Sequence, residues 1–215
     1  MSKKECRKYY FSVEGETEKW YLDWLQEQIN RSENAKYNVK FITKIIKNPS
    51  KMVKQTTILG DLEIVHVFDF EDMQNETAFQ NTLSAMKTAS KMKKKVKYIL
   101  GYSNYTFDLW IVLHKACIKG TKNHRSNYLS DINRYYDMNF ESMADYKEEA
   151  NFKKLLNCLT LEEVKTAILN AEKIEQQNLR NYQKISYSGY EYYRENPSMN
   201  LHQSIRKILK NVNLL

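Results

Sequence analysis

Residues 62–68, LEIVHVF, form a continuous apolar run. A strand with one wet face alternates polar and apolar residues, so a continuous run belongs in a sheet covered on both faces. The flanking sequence supplies the partners and the covers. Residues 7–13 and 38–46 are short, aromatic or β-branched, and 96–101 (VKYILG) is similar; all three are expected as strands. Between them, 16–30 carries Trp20, Tyr21, Trp24 and Leu25 at helical spacing, 76–92 carries Phe79, Leu83, Met86 and Ala89 on one face, and a Lys-rich helix is expected over 50–58. Alternating strands and helices predict an α/β fold: a mostly parallel sheet of about four strands flanked by helices. From residue 106 apolar residues recur at three and four, as in Phe107, Trp110, Ile111 and His114. Helices are expected over 125–137, 147–157, 161–180 and 198–211, with no strand after residue 103. The expected organisation is a core over 1–103 and a helical extension over 104–215, packed as one compact unit.

Two prolines and five glycines in 215 residues argue against an all-β sandwich with many turns. The net charge of +8 suits a polyanionic partner, but a Lys-rich surface without a partner has the same composition. Cys6, Cys117 and Cys158 form no CxxC pair, so neither a zinc site nor a disulfide framework is signalled. Charge precedes any long apolar run at the N-terminus, and no stretch approaches the ~20 apolar residues of a membrane span. The expectation is a cytoplasmic protein that does not enter a membrane.

Candidate chemistry lies at strand ends, where open α/β sheets bind ligands. Glu14 closes the first strand in the turn Glu14-Gly15-Glu16-Thr17-Glu18, with Gly15 permitting a tight turn or a positive φ. Glu16 and Glu18 suit the first turn of a helix on dipole grounds alone. Asp69, Glu71 and Asp72 follow the apolar run. Asp69 and Glu71, two apart in extended chain, point to one side. Clustered carboxylates repel unless a cation neutralises them, and a hard divalent ion, Mg²⁺ or Mn²⁺, takes oxygen ligands of this kind. Asp72 could equally cap the next helix. A third stretch, SNYTFDLWIVLH, places Asn104, Asp108 and His114 after another strand end. All three could reach the same crevice, although a lone His on an apolar face is more often a hydrogen-bonded core residue. No P-loop, GxGxxG, G-x-S-x-G or HExxH is present, so the chain carries no ATP-binding motif of its own.

In order along the chain, EGETE, FDFED, SNYTFDLWIVLH and NPSM resemble the motifs of the RloB family, built on a Toprim-like core and associated with bacterial phage defence. The family's EG-x-TE is matched by Glu14, Gly15, Thr17 and Glu18. Its D-x-D-D is matched by Asp69 and Asp72, with Glu71 in place of Asp. Its SNP-x-FE-x-W-x-x-x-H is matched by Ser103, Asn104, Phe107, Trp110 and His114, with Tyr105 for Pro and Asp108 for Glu. Asn196, Pro197 and Ser198 match NPST, with Met199 for Thr. The resemblance implies a Toprim-like fold and a metal-dependent nuclease, acting on RNA (tRNA included) or DNA in anti-phage defence. Glu14 would handle the proton and, with Asp69, Glu71 and Asp72, belong to the cluster that holds Mg²⁺ or Mn²⁺, and Lys115, Lys119, Lys122 and Arg125 would meet flanking phosphates. Two other readings stand beside it. One is a latent or non-catalytic effector subunit working with a separately encoded ATPase; the other is phosphoryl transfer on a small nucleotide.

Overall fold

The computed structural model describes residues 4–57, 60–71, 73–92, 95–118, 120–122 and 124–215. Four strands, β1 (Cys6–Val13), β2 (Asn38–Ile45), β3 (Leu62–Phe70) and β4 (Val96–Asn104), form an all-parallel sheet in the order β2-β1-β3-β4. Helices α1 (Glu16–Arg31), α2 (Pro49–Lys54) and α3 (Glu76–Met92) make the crossovers. A largely helical part follows: α4 (Asp108–Leu113), α5 (Asn127–Tyr136), α6 (Met143–Tyr146), α7 (Glu149–Leu156), α8 (Leu161–Asn181) and α9 (Leu201–Asn211).

The continuous run in β3 is explained by two cores. Val67 joins Phe11, Val13 and Phe41 in a cluster with α1 and the later helices, among them Trp110, Ile168 and Ile205. Ile64, Phe68 and Phe70 join Phe79, Leu83 and Met86 of α3 in a second cluster on the opposite face. Burying both faces removes any need for polar alternation. Helix α8 begins on a capping box in which Thr160 and Glu163 satisfy each other's main-chain N–H groups. No helix among the described residues is long and apolar enough to cross a membrane.

The structure corrects the expectation of no strand after residue 103. β5 (Ile185–Tyr187) and β6 (Tyr190–Tyr192) pair as an antiparallel hairpin. Its two turn residues, Ser188 (φ 53°) and Gly189 (φ 85°), are both left-handed, as the twist of a two-residue hairpin requires. Three-residue strands are too short to display a period, but Ser-Gly between aromatic triplets is a hairpin signal. A further short pairing closes the outer edge of β4. Asn104 N–H donates to the Ser198 carbonyl (2.8 Å), and Asn200 N–H donates to the Tyr102 carbonyl (3.1 Å).

β3 and β4 also run further than expected, to Phe70 and Asn104, with Asp69 paired to Ser103. Their close approach depends on Gly101. A Cβ there would lie 3.0 Å from both the His66 carbonyl oxygen and Val65 Cγ1, and the oxygen belongs to the sheet backbone. Gly101→Ala is expected to destabilise the protein by about 1–3 kcal/mol through overpacking. Urea unfolding would show a lower midpoint with an unchanged slope; an unchanged midpoint would contradict this packing.

Candidate metal centre

Parallel pairing of β1 with β3, in register from Tyr10–Ile64 to Val13–Val67, brings their carboxyl ends together. Glu14 and Asp69 therefore emerge side by side, and Asp69 N–H donates to Glu14 Oε2 at 3.3 Å. One turn into α1, Glu18 is buried behind them, and Thr17 Oγ1 donates to its Oε2 at 3.3 Å. Asp108, at the head of α4, is fully buried. Its Oδ2 accepts from Thr106 Oγ1 at 2.8 Å and faces Lys147 Nζ at 3.3 Å. Its Oδ1 has no hydrogen-bond partner among the described residues.

Burial, the largest cause, holds Glu14, Glu18 and Asp69 above the ordinary carboxylate range. Repulsion adds to it: Asp69 feels Glu18, Glu14 and Asp108, and Glu18 feels Asp108 and Glu14. Lys147 and, for Glu14, Lys47 oppose the shift. Asp69 is raised furthest. The hydroxyls of Tyr128 and Tyr146 are pushed up by burial first and by Asp108 second. A cluster that resists ionisation is one in which an added cation gains most.

A cleft of about 220 Å³ is lined by Glu14, Asp69 and Glu71. The donor set, carboxylate oxygens with one buried oxygen unpartnered nearby, is chemically suited to a hard divalent ion. Among the described residues, no three His, Cys, Asp or Glu side chains are disposed to hold one ion. Asp72 and Lys119 lie outside the described residues.

The other expected site residues divide. Glu71 follows the last residue of β3, so it does not share a strand face with Asp69. It is half exposed and faces Arg125 at 3.6 Å. Gly15 is extended (φ −146°), not left-handed; a Cβ there would sit 3.2 Å from Glu18 Oε2, so the missing side chain makes room for that carboxylate. Asn104 does not face the acids. Its Nδ2 donates to the carbonyls of Arg194 and Glu195 (3.0 Å each), which fixes the 193–198 segment against β4. The structure likewise assigns His114 to the core. One ring nitrogen, Nδ1, donates to the Trp110 carbonyl (2.8 Å), which leaves Nε2 to accept from Tyr21 Oη (3.0 Å). The expected basic strip is largely engaged within the chain. Lys115 pairs with Glu163 and donates to the Cys158 carbonyl, and Lys122 pairs with Asp131. Tyr105, at the position of the family's Pro, has φ 65° and donates its N–H to the Phe70 carbonyl at 2.7 Å; proline could do neither.

Two cations escaped the sequence reading. Lys147 follows α6 and reaches Asp108 from a distant part of the chain, for which no local pattern gives a signal. Lys47 follows β2, the strand beside β1, and that topology could have marked it as a neighbour of Glu14.

A parallel sheet with carboxylates converging at the carboxyl ends of adjacent strands defines a class of α/β protein with a strand-end acidic site. Within that class the chain belongs to the RloB-like protein family, whose model matches residues 9–208. Neither a search of curated proteins nor one of solved structures found a match.

Burial lowers the His114 pKa from 6.5 to about 4. Because the folded value lies below the unfolded one, neutral His114 contributes stability above about pH 6.5. That contribution is lost as pH falls toward about 4. Long-range ¹H–¹⁵N NMR is expected to show the Nδ1–H tautomer, uncharged at pH 5.5. An imidazolium at that pH would return His114 to the list of catalytic candidates.

Proposed function

We propose that this chain is a divalent-cation-dependent nuclease of the Toprim type, cutting RNA (tRNA included) or DNA in bacterial anti-phage defence. The observation that carries the reading is the placement of Glu14 and Asp69 side by side at the ends of adjacent parallel strands, with Glu18 and Asp108 buried behind them.

Asp69 and Glu71, with Asp72 next in sequence, would hold Mg²⁺ or Mn²⁺. When bound, the ion would polarise the scissile phosphate and stabilise the departing oxygen. Glu14 is suited to move the proton, because burial keeps its proton affinity above that of a free carboxylate. Lys147 offsets charge behind the site. Lys47 and Arg125, both exposed beside the cleft, are placed to meet flanking phosphates. Lys115 and Lys122 are less free for that role, since both amino groups are held in part-buried ion pairs, whereas Arg125 meets Glu71 in the open at 3.6 Å.

Glu14→Gln and Asp69→Asn are each expected to lower cutting of tRNA or single-stranded DNA in Mn²⁺ by at least about a hundredfold, with circular dichroism unchanged. Full activity in both variants would sink the assignment.

Stability supplies a second, independent readout. Since Asp69 is raised in the folded state, its ionisation opposes folding, fully so above the folded pKa and less as pH falls toward the unfolded value. In EDTA at pH 8, Asp69→Asn should therefore be the more stable protein, by on the order of 1 kcal/mol. Mn²⁺ should raise the melting temperature of the wild type but not of the variant. A variant less stable than wild type in EDTA would contradict the electrostatic account.

A further inference from the structure

A cavity of about 510 Å³ lies against the outer edge of β4, walled by α3, the β5–β6 hairpin, the end of α8 and the 198–200 segment. That volume falls within the ~300–1,000 Å³ of pockets that hold small molecules. None of the described acids of the candidate metal centre lines it.

Its distinguishing feature is a gap in main-chain pairing. Along an edge strand, alternate residues direct their N–H and C=O away from the sheet. Tyr98 and Tyr102 do so, and both are satisfied by the chain itself. Tyr98 N–H donates to Ser90 Oγ (3.1 Å), and its carbonyl accepts from Tyr190 Oη (3.4 Å). Tyr102 N–H donates to Asn200 Oδ1 (2.9 Å), and its carbonyl accepts from Asn200 N–H. Leu100, midway between them, faces the same way and lines the cavity. Its N–H and C=O have no partner outside the sheet among the described residues. An added peptide strand is excluded as the partner, because the positions on either side are already closed. The gap admits a small planar group that offers one donor beside one acceptor.

The side chains narrow the class further. Tyr190 and Tyr193 line the cavity; Tyr193 is largely buried, and its hydroxyl has no hydrogen-bond partner among the described residues. Lys87 and Lys184 line the wall together with two carboxylates, Glu175 and Glu191, while Lys97 lines it with its amino group turned toward Glu63, which is not part of the wall. Of the two wall acids, Glu175 is engaged with His202 and Gln203, and Glu191 faces Lys184 at 3.6 Å. Lys97 has Glu63 at 3.8 Å, and Lys87 has no carboxylate partner among the described residues. A hydrogen-bonding planar edge, an aromatic body and an anionic tail are together the chemistry of a nucleotide.

We propose that this cavity is a nucleotide-binding site: the base edge pairs with the Leu100 main chain, the base lies against Tyr190 and Tyr193, and Lys87 leads the capture of the phosphate. The hairpin wall continues into Tyr192 and Arg194. Both bond Glu76 at the head of α3, so a bound nucleotide would brace the helix that follows the acidic loop.

The test uses the full chain in EDTA, where metal-dependent binding at the acidic cleft is removed and nuclease activity has no bearing. Calorimetry is run with AMP, CMP, ribose 5-phosphate, inorganic phosphate and a 5′-phosphorylated dinucleotide, while ¹⁵N NMR follows the Leu100 amide. Saturable nucleotide binding that shifts the Leu100 amide is expected, with ribose 5-phosphate and phosphate at least about tenfold weaker. Lys87→Glu, an exposed position, should weaken the nucleotide by at least about tenfold, a difference of roughly 1.4 kcal/mol. A dinucleotide that binds more tightly than AMP and CMP supports the site with an oligonucleotide end as the source; one that binds more weakly supports it with a free nucleotide. The proposal is overturned by any of four results: no saturable binding, an unmoved Leu100 amide, phosphate binding as tightly as AMP, or full affinity in a folded Lys87→Glu protein.

Discussion

The acidic site depends on the register between β1 and β3. Because the two strands run parallel and their pairing ends at Val13 and Val67, Glu14 and Asp69, just beyond it, are delivered to one place by main-chain pairing. Neither carboxylate would choose that neighbourhood by itself, since burial and mutual repulsion both disfavour their charges. The unfavourable contact is held in place by apolar packing on the two faces of the sheet. Val13 and Val67, one and two residues before the acids, belong to the same buried cluster. A slip of one residue would turn β3's apolar side chains to the wrong faces, so the core itself enforces the register.

Glu18 and Asp108 deepen the arrangement. Glu18 has an ordinary excuse as an early residue of a helix, yet the structure buries it against the strand-end acids. Gly15 makes room for it, and Thr17 bonds it. Four of the five residues from Glu14 to Glu18 thus contribute, which explains why one short turn carries so much of the site.

The sheet and its crossovers were legible because their signals are local. Continuous apolar runs gave β3, and three-to-four spacing gave α1 and α3. The strand-end acids were legible because parallel topology converts chain order into position. What escaped depended on contacts between distant residues. His114 and Asn104 have the polarity of catalytic groups, and only the Trp110 and Tyr21 partners of one, and the 194–195 carbonyls of the other, reveal that the fold itself engages them. Lys147 could not be placed without knowing how α6 folds back toward α4. The hairpin escaped for a different reason: its strands are shorter than the window over which a period can be counted.

The 198–200 segment that closes the edge of β4 has a consequence for biosynthesis. Tyr102 and its partner Asn200 are 98 residues apart. During translation the sheet can assemble from β1 to β4 while the outer donors and acceptors of Tyr102 and Asn104 are still bare, and open strand edges invite pairing with other chains. The ribosome must add the whole helical half before the chain can cover its own edge. The newborn protein thus passes through an interval of self-adhesiveness that the arrival of residues 198–200 ends.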